Sequence, residues 1–196
     1  MAKIVIYGGA FSPPHIGHAI ALDAILRLFL CDEIWVMPSA NRKDKTMDVD
    51  GEDRVQMLTI LVRDLFSDTP TPIKISRLEI ERPKLTTTHR TKQELYQIYS
   101  DAEFYFVIGS DIFPDIETKW FEGKELYRTT HFIVLQRNEV PLPPNAPENI
   151  VLLNHDTVWL NVSSTFIRKL LREGHSGVPY LTHGVAEYIK KKGLYQ

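Results

Sequence analysis

The sequence predicts an α/β fold in which a doubly wound parallel sheet carries helices on both faces. Short apolar segments typical of buried strands alternate along the chain with longer segments whose apolar residues recur at helical spacing. This alternation favours a parallel sheet, because each crossover between parallel strands needs a long connection, usually a helix. Polar and glycine-rich motifs follow several predicted strands, and ligands of such sheets bind at the carboxyl ends of the strands. The fold is therefore expected to be Rossmann-like.

The predicted strands are short apolar segments bounded mainly by turn residues. They are Ile4–Tyr7, Glu33–Met37, Ile73–Ile80, Glu103–Ile108, His131–Leu135, Ile150–Leu153 and Val158–Val162. Residues 39–51 are polar and residues 137–149 are rich in proline, so both segments are predicted to be loops.

The predicted helices are His18–Leu30, Glu52–Phe66, Thr91–Tyr99, Trp120–Tyr127, Ser164–Arg172 and Thr182–Lys192. The apolar face predicted for the second of these consists of Val55, Leu58, Val62 and Leu65. Ser163 is the expected N-cap of the helix that starts at Ser164, and Gly174 and Gly193 are expected to end the last two helices.

Length and composition limit the class of protein. The chain has 196 residues, of which 43% are apolar, and this fits a single domain, 1–196, with a C-terminal helical segment from about residue 163. A formal net charge of -2 argues against general binding to nucleic acid or membranes. No apolar run approaches the ~20 residues that span a bilayer. One cysteine fits a reducing compartment, and we expect a cytoplasmic protein.

The most informative segment of the chain is Gly8–His18, which reads GGAFSPPHIGH and joins the first strand to the first helix. Gly8 and Gly9 permit close approach of the backbone to a ligand. His15 and His18 are three residues apart and therefore project from one side of the first helical turn. Because a helix N-terminus already favours anions, the added imidazoles predict a phosphate site.

Other interpretations of the two histidines stay open at this point. His15 and His18 could bind a metal ion, although a zinc site would need further ligands and the only cysteine, Cys31, lies elsewhere. Either histidine could instead cap the helix. The chain contains neither the P-loop pattern nor the dinucleotide-binding glycine pattern, so those two phosphate motifs are excluded.

A second motif, Val162–Arg168, reads VSSTFIR at the start of a predicted helix. Hydroxyl groups and unpaired N–H groups at a helix start bind phosphate oxygens. Arg168 lies one turn into the helix, where its forked guanidinium could reach the same anion. Taken alone, the motif could be an ordinary helix cap beside a surface arginine.

The first motif resembles the signature of the H-x-G-H nucleotidylyltransferases, and VSSTFIR is similar to their I-S-S-T-x-I-R element, which holds the triphosphate. Shorter motifs narrow the resemblance to bacterial nicotinate-nucleotide adenylyltransferases. These motifs are Arg54 with Met57 and Leu58, Gly109-Ser110-Asp111, Lys119-Trp120, and the tail Tyr180–Ile189 with Gly193-Leu194-Tyr195.

This resemblance implies a role for each candidate residue. His15 and His18 would hold the α- and β-phosphates of ATP, and Lys45 and Arg168 would neutralise charge on the triphosphate and the leaving group. The ATP-binding residues that it implies are Gly8, Gly9, Ala10, Phe11, Gly109, Asp111, Ser163, Ser164, Thr165 and Ile167. Those implied for the acceptor pocket are Thr87, Thr88 and Trp120, with the indole stacked on the pyridine ring.

Two segments depart from the family pattern. The segment Arg42–Lys45 lacks the prolines and the histidine of the family's P-P-H-K loop. In Thr86–Thr91, which corresponds to the family's S-Y-T-x-D-T, Thr87 replaces the tyrosine and Arg90 replaces the acid. Arg90 could favour the carboxylate of nicotinate over the neutral nicotinamide, or it could point to solvent.

We therefore expect an enzyme that transfers AMP from ATP to nicotinate mononucleotide, giving deamido-NAD and pyrophosphate in NAD biosynthesis. Mg²⁺ would accompany ATP, and no dedicated metal site in the protein is expected. The acceptor could instead be nicotinamide mononucleotide or another phosphate, and a non-catalytic nucleotide-binding protein is a further alternative. A homo-oligomer stays open, whereas nucleic-acid and membrane partners are not expected.

Overall fold

A computed structural model of the chain describes residues 1–40, 48–82, 87–136, 140–142, 146–153, 156–158 and 160–196. Its strands are β1 (Ala2–Gly9), β2 (Glu33–Pro38), β3 (Ile73–Ile75), β4 (Ala102–Gly109), β5 (His131–Leu135) and β6 (Ile150–Leu153). They form one parallel sheet in the order β3-β2-β1-β4-β5-β6. The direction of the order reverses between β1 and β4, as in Rossmann-like folds, so the predicted fold class is confirmed.

The helices are α1 (Ile16–Leu28), α2 (Gly51–Phe66), α3 (Thr88–Ile98), α4 (Ile116–Lys119), α5 (Gly123–Thr129), α6 (Ser164–Arg172) and α7 (His183–Lys192). A short 3₁₀ turn at Phe113–Asp115 precedes α4. In the described ranges, no helix combines the length and the apolar character that crossing a bilayer requires.

The two faces of the sheet bury separate apolar cores. In β1, Val5 belongs to the core covered by α1, α2, α6 and α7, whereas Ile4 and Ile6 belong to the core covered by α3, α4 and α5. Successive side chains of a strand point to opposite faces, so a strand buried on both faces must be apolar throughout. This explains why the inner residues of β1 and β4, Ile4–Tyr7 and Phe104–Ile108, are continuous apolar runs in the sequence.

Local capping signals are confirmed where the sequence predicted them. The backbone N–H of Phe166 donates to the Ser163 Oγ at 3.2 Å, which makes Ser163 the N-cap of α6. Gly193 ends α7 in the left-handed conformation with φ 62°. Glycine adopts this conformation without the steric cost of a Cβ atom, and it commonly ends helices for that reason.

Three predictions of regular structure were wrong in extent. The strand predicted at Ile73–Ile80 stops at Ile75, since a turn follows in which the Glu81 N–H donates to the Arg77 carbonyl at 3.1 Å. Residues 157, 158 and 160–162 form no strand, and Trp159 lies outside the described residues. The helix predicted at Trp120–Tyr127 begins at Gly123, because Trp120 is extended with φ -89° and ψ 148°.

The predicted apolar face of α2 also needs a correction. Val55 and Leu58 are buried, but Leu65 is 44% exposed. In the last turn of the helix it is Phe66 that packs against the core. The periodicity of the sequence cannot show where the neighbouring elements stop covering a helix.

Candidate active site

A cleft of about 610 Å³ opens where β1 and β4 end. These neighbouring strands flank the point at which the order of the sheet reverses, where ligands of doubly wound sheets bind. The predicted site residues that line it are Gly8, Gly9, Ala10, Phe11, His15, His18, Thr87, Thr88, Gly109, Trp120, Ser163, Ser164, Thr165 and Arg168. The fold thus brings segments from distant parts of the chain into one cavity.

The two histidines lie at the start of α1 and are oriented by backbone N–H groups. His15 is the N-cap residue, and its Nδ1 accepts from the Gly17 N–H at 3.2 Å. The Nδ1 of His18 accepts from the His15 N–H at 3.1 Å. A neutral imidazole that accepts at Nδ1 carries its proton on Nε2. Both rings are therefore held in the tautomer that has an N–H donor at Nε2.

Phe11 fixes the position of the His18 ring. It is 1% exposed, and its ring centroid lies 4.8 Å from that of His18 and 5.5 Å from that of Tyr7. Its φ of 48° is uncommon for a residue with a side chain, and such strain clusters at functional sites. A Cβ atom at Gly9 would lie 3.0 Å from the Phe11 ring, which explains the glycine at that position.

The loop of residues 10–13, which we call the 10–13 loop, joins β1 to the segment before α1 and receives donors from other elements. The Nη1 of Arg54 in α2 donates to the Ala10 carbonyl at 2.9 Å. The Nη1 of Arg168 in α6 donates to the Ser12 carbonyl at 2.8 Å. These bonds give the carbonyl oxygens of the loop the donors that buried backbone groups need. The conformation of the loop therefore depends on α2 and α6.

Arg54, which the sequence indicated only as part of a family-like helix motif, supports the site through its bond to the 10–13 loop. It has no exposed surface, and its Nε also donates to the Asp50 carbonyl at 3.2 Å. Burial lowers the pKa of its guanidinium. The available signal was an arginine at helical spacing with the buried Met57, Leu58 and Leu61, since a charged residue on a core face needs buried partners.

The start of α6 supplies the second group of predicted phosphate contacts. Ser163 caps the helix, and the Ser164 Oγ donates to the Pro13 carbonyl at 2.9 Å. The Nη2 of Arg168 donates to the Thr165 Oγ1 at 3.2 Å. The same residues therefore cap the helix, hold the 10–13 loop and line the cleft, so the two interpretations of the motif are compatible.

Asp48 is a site residue that the sequence analysis missed. Its Oδ2 lies 3.1 Å from the Arg168 Nε and 2.8 Å from the Arg172 Nη2. Asp48 also lines the cleft. Asp48 therefore pairs with Arg168 at Nε, while Ser12 and Thr165 accept from its Nη1 and Nη2, and the side chain of Arg168 is only 17% exposed.

Two of the described predicted site residues, Ile167 and Asp111, do not line the cleft. Ile167 is fully buried in the core, and its N–H donates to the Ser163 carbonyl at 3.1 Å. Its side chain anchors α6 in the core, and its predicted contact with ATP stays a prediction. Asp111 follows β4 but is exposed and outside the lining. Lys45 lies outside the described residues, as does the segment 42–45.

Trp120 both packs against the apolar core and lines the cleft. Its ring packs edge-on against Phe132, with centroids 6.4 Å apart and an interplanar angle of 79°. It is half-buried and also lines the cleft. The extended conformation of Trp120 between α4 and α5 makes this position possible, since a continuous helix would carry the ring elsewhere.

Thr87 and Arg90 show how the divergent segment is placed. Thr87 is the N-cap of α3, and its Oγ1 accepts from the Arg90 N–H at 3.3 Å. Arg90 is exposed and lines an adjacent hollow of about 680 Å³ with His89, Phe121 and other residues. Thr87 borders both cavities, whereas Arg90 does not line the cleft itself.

A metal centre at the two histidines was the other interpretation of the first motif. Across the described part of the chain, no three or more His, Cys, Asp or Glu residues are grouped so that they could hold an ion. The described surroundings of His15 and His18 therefore offer no third ligand of these types.

Comparisons of the sequence with known proteins identify the family of the chain. The cytidylyltransferase-like family matches residues 6–170. A "probable nicotinate-nucleotide adenylyltransferase" of Lactiplantibacillus plantarum is 31% identical, over 99% of this chain and 88% of the relative. One of the same description from Clostridium kluyveri is 32% identical over the full length of both chains. This chain belongs to the nicotinate-nucleotide adenylyltransferase family.

Solved structures of this family share the whole fold. The Plasmodium falciparum nicotinic acid mononucleotide adenylyltransferase complexed with NaAD has a TM-score of 0.82 and 26% identity. The match covers 100% of this chain and 98% of that one. The same enzyme complexed with APC gives a TM-score of 0.79. The structural match therefore includes the sheet and the two C-terminal helices, α6 and α7.

Proposed function

We infer that this protein transfers the AMP unit of ATP to nicotinate mononucleotide, giving deamido-NAD and pyrophosphate in NAD biosynthesis. The observation that carries this inference is the meeting of two phosphate motifs in one cleft. His15 and His18 at the start of α1 lie in the same cavity as Ser163, Thr165 and Arg168 at the start of α6. Membership of the adenylyltransferase family supports the same reaction.

The reaction depends more on aligning the two substrates than on activating the attacking phosphate. An oxygen of the acceptor's 5′-phosphate attacks the α-phosphorus of ATP, the new P–O bond forms, and the bond to the pyrophosphate oxygen breaks. The attacking phosphate is already anionic at neutral pH, so neither a general base nor a covalent intermediate is required. Catalysis rests on holding two anions in line and on stabilising the charge that develops on the leaving group.

The phosphate side of the cleft is built for that task. The Nε2–H groups of His15 and His18 would donate to α- and β-phosphate oxygens, with the positive end of the α1 dipole behind them. Arg168 would add positive charge at the triphosphate, partly offset by Asp48. We propose the same role for Lys45. Mg²⁺ would enter with ATP, held mainly by phosphate oxygens and water, and would neutralise charge on the leaving pyrophosphate.

The acceptor side is proposed to recognise the pyridine ring. Trp120 presents its indole to the cleft, and an electron-poor pyridinium is a favourable partner for that face. Thr87 and Thr88 line the same cavity. We propose that residues 1–196 act as one catalytic domain, since Ile167 and Val185 of the C-terminal helices share a core with Val5 of β1. We also propose that the protein acts in the cytoplasm.

Pyrophosphate release tests the proposed function. The purified protein is incubated with MgATP and either nicotinate mononucleotide or nicotinamide mononucleotide. We expect release with nicotinate mononucleotide and loss of release when EDTA removes Mg²⁺. A preference for nicotinamide mononucleotide would show that the proposed acceptor is wrong. A folded sample that binds ATP but releases no pyrophosphate with either acceptor would overturn the assignment.

A further inference from the structure

Tyr195, the penultimate residue of the chain, reaches the 10–13 loop near the other end of the sequence. Its hydroxyl is hydrogen-bonded to the Ser12 Oγ at 3.1 Å, across 183 positions of sequence. Tyr195 is 5% exposed and Ser12 is 3% exposed, so both hydroxyls are shielded from water. Each hydroxyl therefore supplies the hydrogen-bond partner of the other, because a buried polar group without a partner lowers the stability of the fold.

The path of the C-terminal segment brings Tyr195 to this position. Helix α7 lies along α2, where the Tyr188 hydroxyl donates to the Asp53 Oδ1 at 2.7 Å and the Thr182 Oγ1 donates to the Asp64 Oδ2 at 2.9 Å. Gly193 then turns the chain in the left-handed conformation. Tyr195 itself has φ 64°, which is uncommon for tyrosine and indicates that surrounding contacts hold it.

The hydroxyl of Tyr195 is a neutral hydrogen-bonding group. Burial raises its pKa strongly, opposed by the bond to Ser12 and by the positive charges of Arg168 and Arg54. The same two arginines donate to the carbonyls of Ser12 and Ala10. The 10–13 loop is therefore held at its carbonyl groups by two arginines and Ser164, and at the Ser12 side chain by one tyrosine.

We propose that Tyr195 is a positioning residue that fixes Ser12 and, through it, the 10–13 loop that carries Phe11 against His18. This proposal rests on the proposed function. Removing the hydroxyl would leave the Ser12 Oγ without that partner in a buried place. A shift of about 1 Å in a phosphate-binding group can cost up to ~100-fold in rate. If the lost hydrogen bond lowers the population of the active loop conformation roughly tenfold, kcat falls by the same factor.

The test compares Tyr195→Phe with Tyr188→Phe. Each variant removes one hydroxyl from a tyrosine of the C-terminal segment, but Tyr188 bonds to Asp53 on α2 and not to the loop. We expect similar small decreases in Tm, roughly a tenfold fall in kcat for Tyr195→Phe only, and little change in the KM of the acceptor. Equal kcat values for the two variants would overturn the proposal.

A double variant tests whether Tyr195 acts through Ser12. If it does, Ser12→Ala/Tyr195→Phe has about the kcat of Ser12→Ala alone, since both changes break the same bond. Additive losses would overturn the proposal. The affinity for ATP and the NMR signals of the His15 and His18 rings are measured on all variants. An inactive wild type would count against the proposed function, whereas unchanged ring signals and ATP affinity in Tyr195→Phe would count against the positioning role.

Discussion

The His15 backbone N–H donates to the His18 Nδ1, and the two imidazole rings lie with their centroids 3.8 Å apart. The first histidine caps α1, and the second closes the capping box from the third helical position. Helix capping uses Nδ1 of both rings, and the proposed phosphate binding would use the other nitrogen, Nε2. Nδ1 serves the backbone, and Nε2 is the nitrogen that would serve the ligand.

This division of roles predicts that two substitutions of His18 leave different amounts of activity, because each replaces a different nitrogen of the ring. In His18→Asn the amide can replace Nδ1 and keep the cap, but nothing replaces Nε2. We expect Tm to stay near that of the wild type and kcat to fall by roughly 10²–10³-fold, as for other lost donors to a developing anion. In His18→Gln the amide can reach the position of Nε2, so more activity should remain. The measurements are steady-state pyrophosphate release and thermal unfolding.

A matched control for these variants is His183→Ala. His183 is a histidine at the start of α7 with 84% of its side chain exposed, and it does not line the cleft. Its replacement should leave kcat and both KM values unchanged. Full activity in His18→Asn would show that the phosphate assignment of His18 is wrong.

Trp120→Ala should raise the KM of the acceptor more than the KM of ATP, because the indole would stack on the pyridine and not on the adenine. The variant should also lower Tm, since the ring packs on Phe132. Trp120→Phe retains an aromatic surface and should lie between the wild type and Trp120→Ala in both measurements. An acceptor KM that stays constant across the series would mean that Trp120 serves only the core.

Ser163→Asp separates capping from phosphate binding at α6. Aspartate is as good an N-cap as serine, so the free energy of unfolding should change by less than about 0.5 kcal/mol. Its negative charge would lie at the predicted triphosphate site, so the KM for ATP should rise. Ser163→Ala should lose about 1 kcal/mol of stability, and its KM for ATP should rise less than that of Ser163→Asp, because alanine adds no negative charge. Chemical denaturation and ATP titration measure the two quantities, and an unchanged ATP KM in Ser163→Asp would contradict the contact.

Cys31 should react slowly with iodoacetamide at pH 8. Burial, aided by the charge of Asp32, raises the pKa of its thiol from 9.0 to about 11, so little reactive thiolate forms at that pH. The unfolded chain loses this proton first as pH rises, so the thiol should make the folded state less stable between about pH 9 and 11. Asp32→Asn should speed alkylation. A rate at pH 8 equal to that of the urea-unfolded protein would contradict this.

Features of short range were predictable from the sequence. The bounds of α6, its N-cap Ser163 and the glycine that ends α7 follow from side chains that act on the backbone within a few residues. The parallel sheet follows from the alternation of apolar runs and helical periodicity. The two phosphate motifs were recognisable because each lies within one turn at the end of a strand or the start of a helix.

Features that depend on contacts between distant residues were decided only by the tertiary structure. Ile167 was expected at the nucleotide and lies in the core, because the neighbours of α6 determine which of its faces is buried. Periodicity alone also could not show that the helix predicted at Trp120 is interrupted there.

The sequence by itself determined the fold class, the two phosphate motifs and the family to which they point, since these depend on local residue types and spacing. The tertiary structure alone decided how the 10–13 loop is held. Arg168 and Tyr195 meet Ser12 across 156 and 183 positions of the chain. No local pattern encodes such a contact, because it exists only after α2, α6 and α7 have packed on the same face of the sheet.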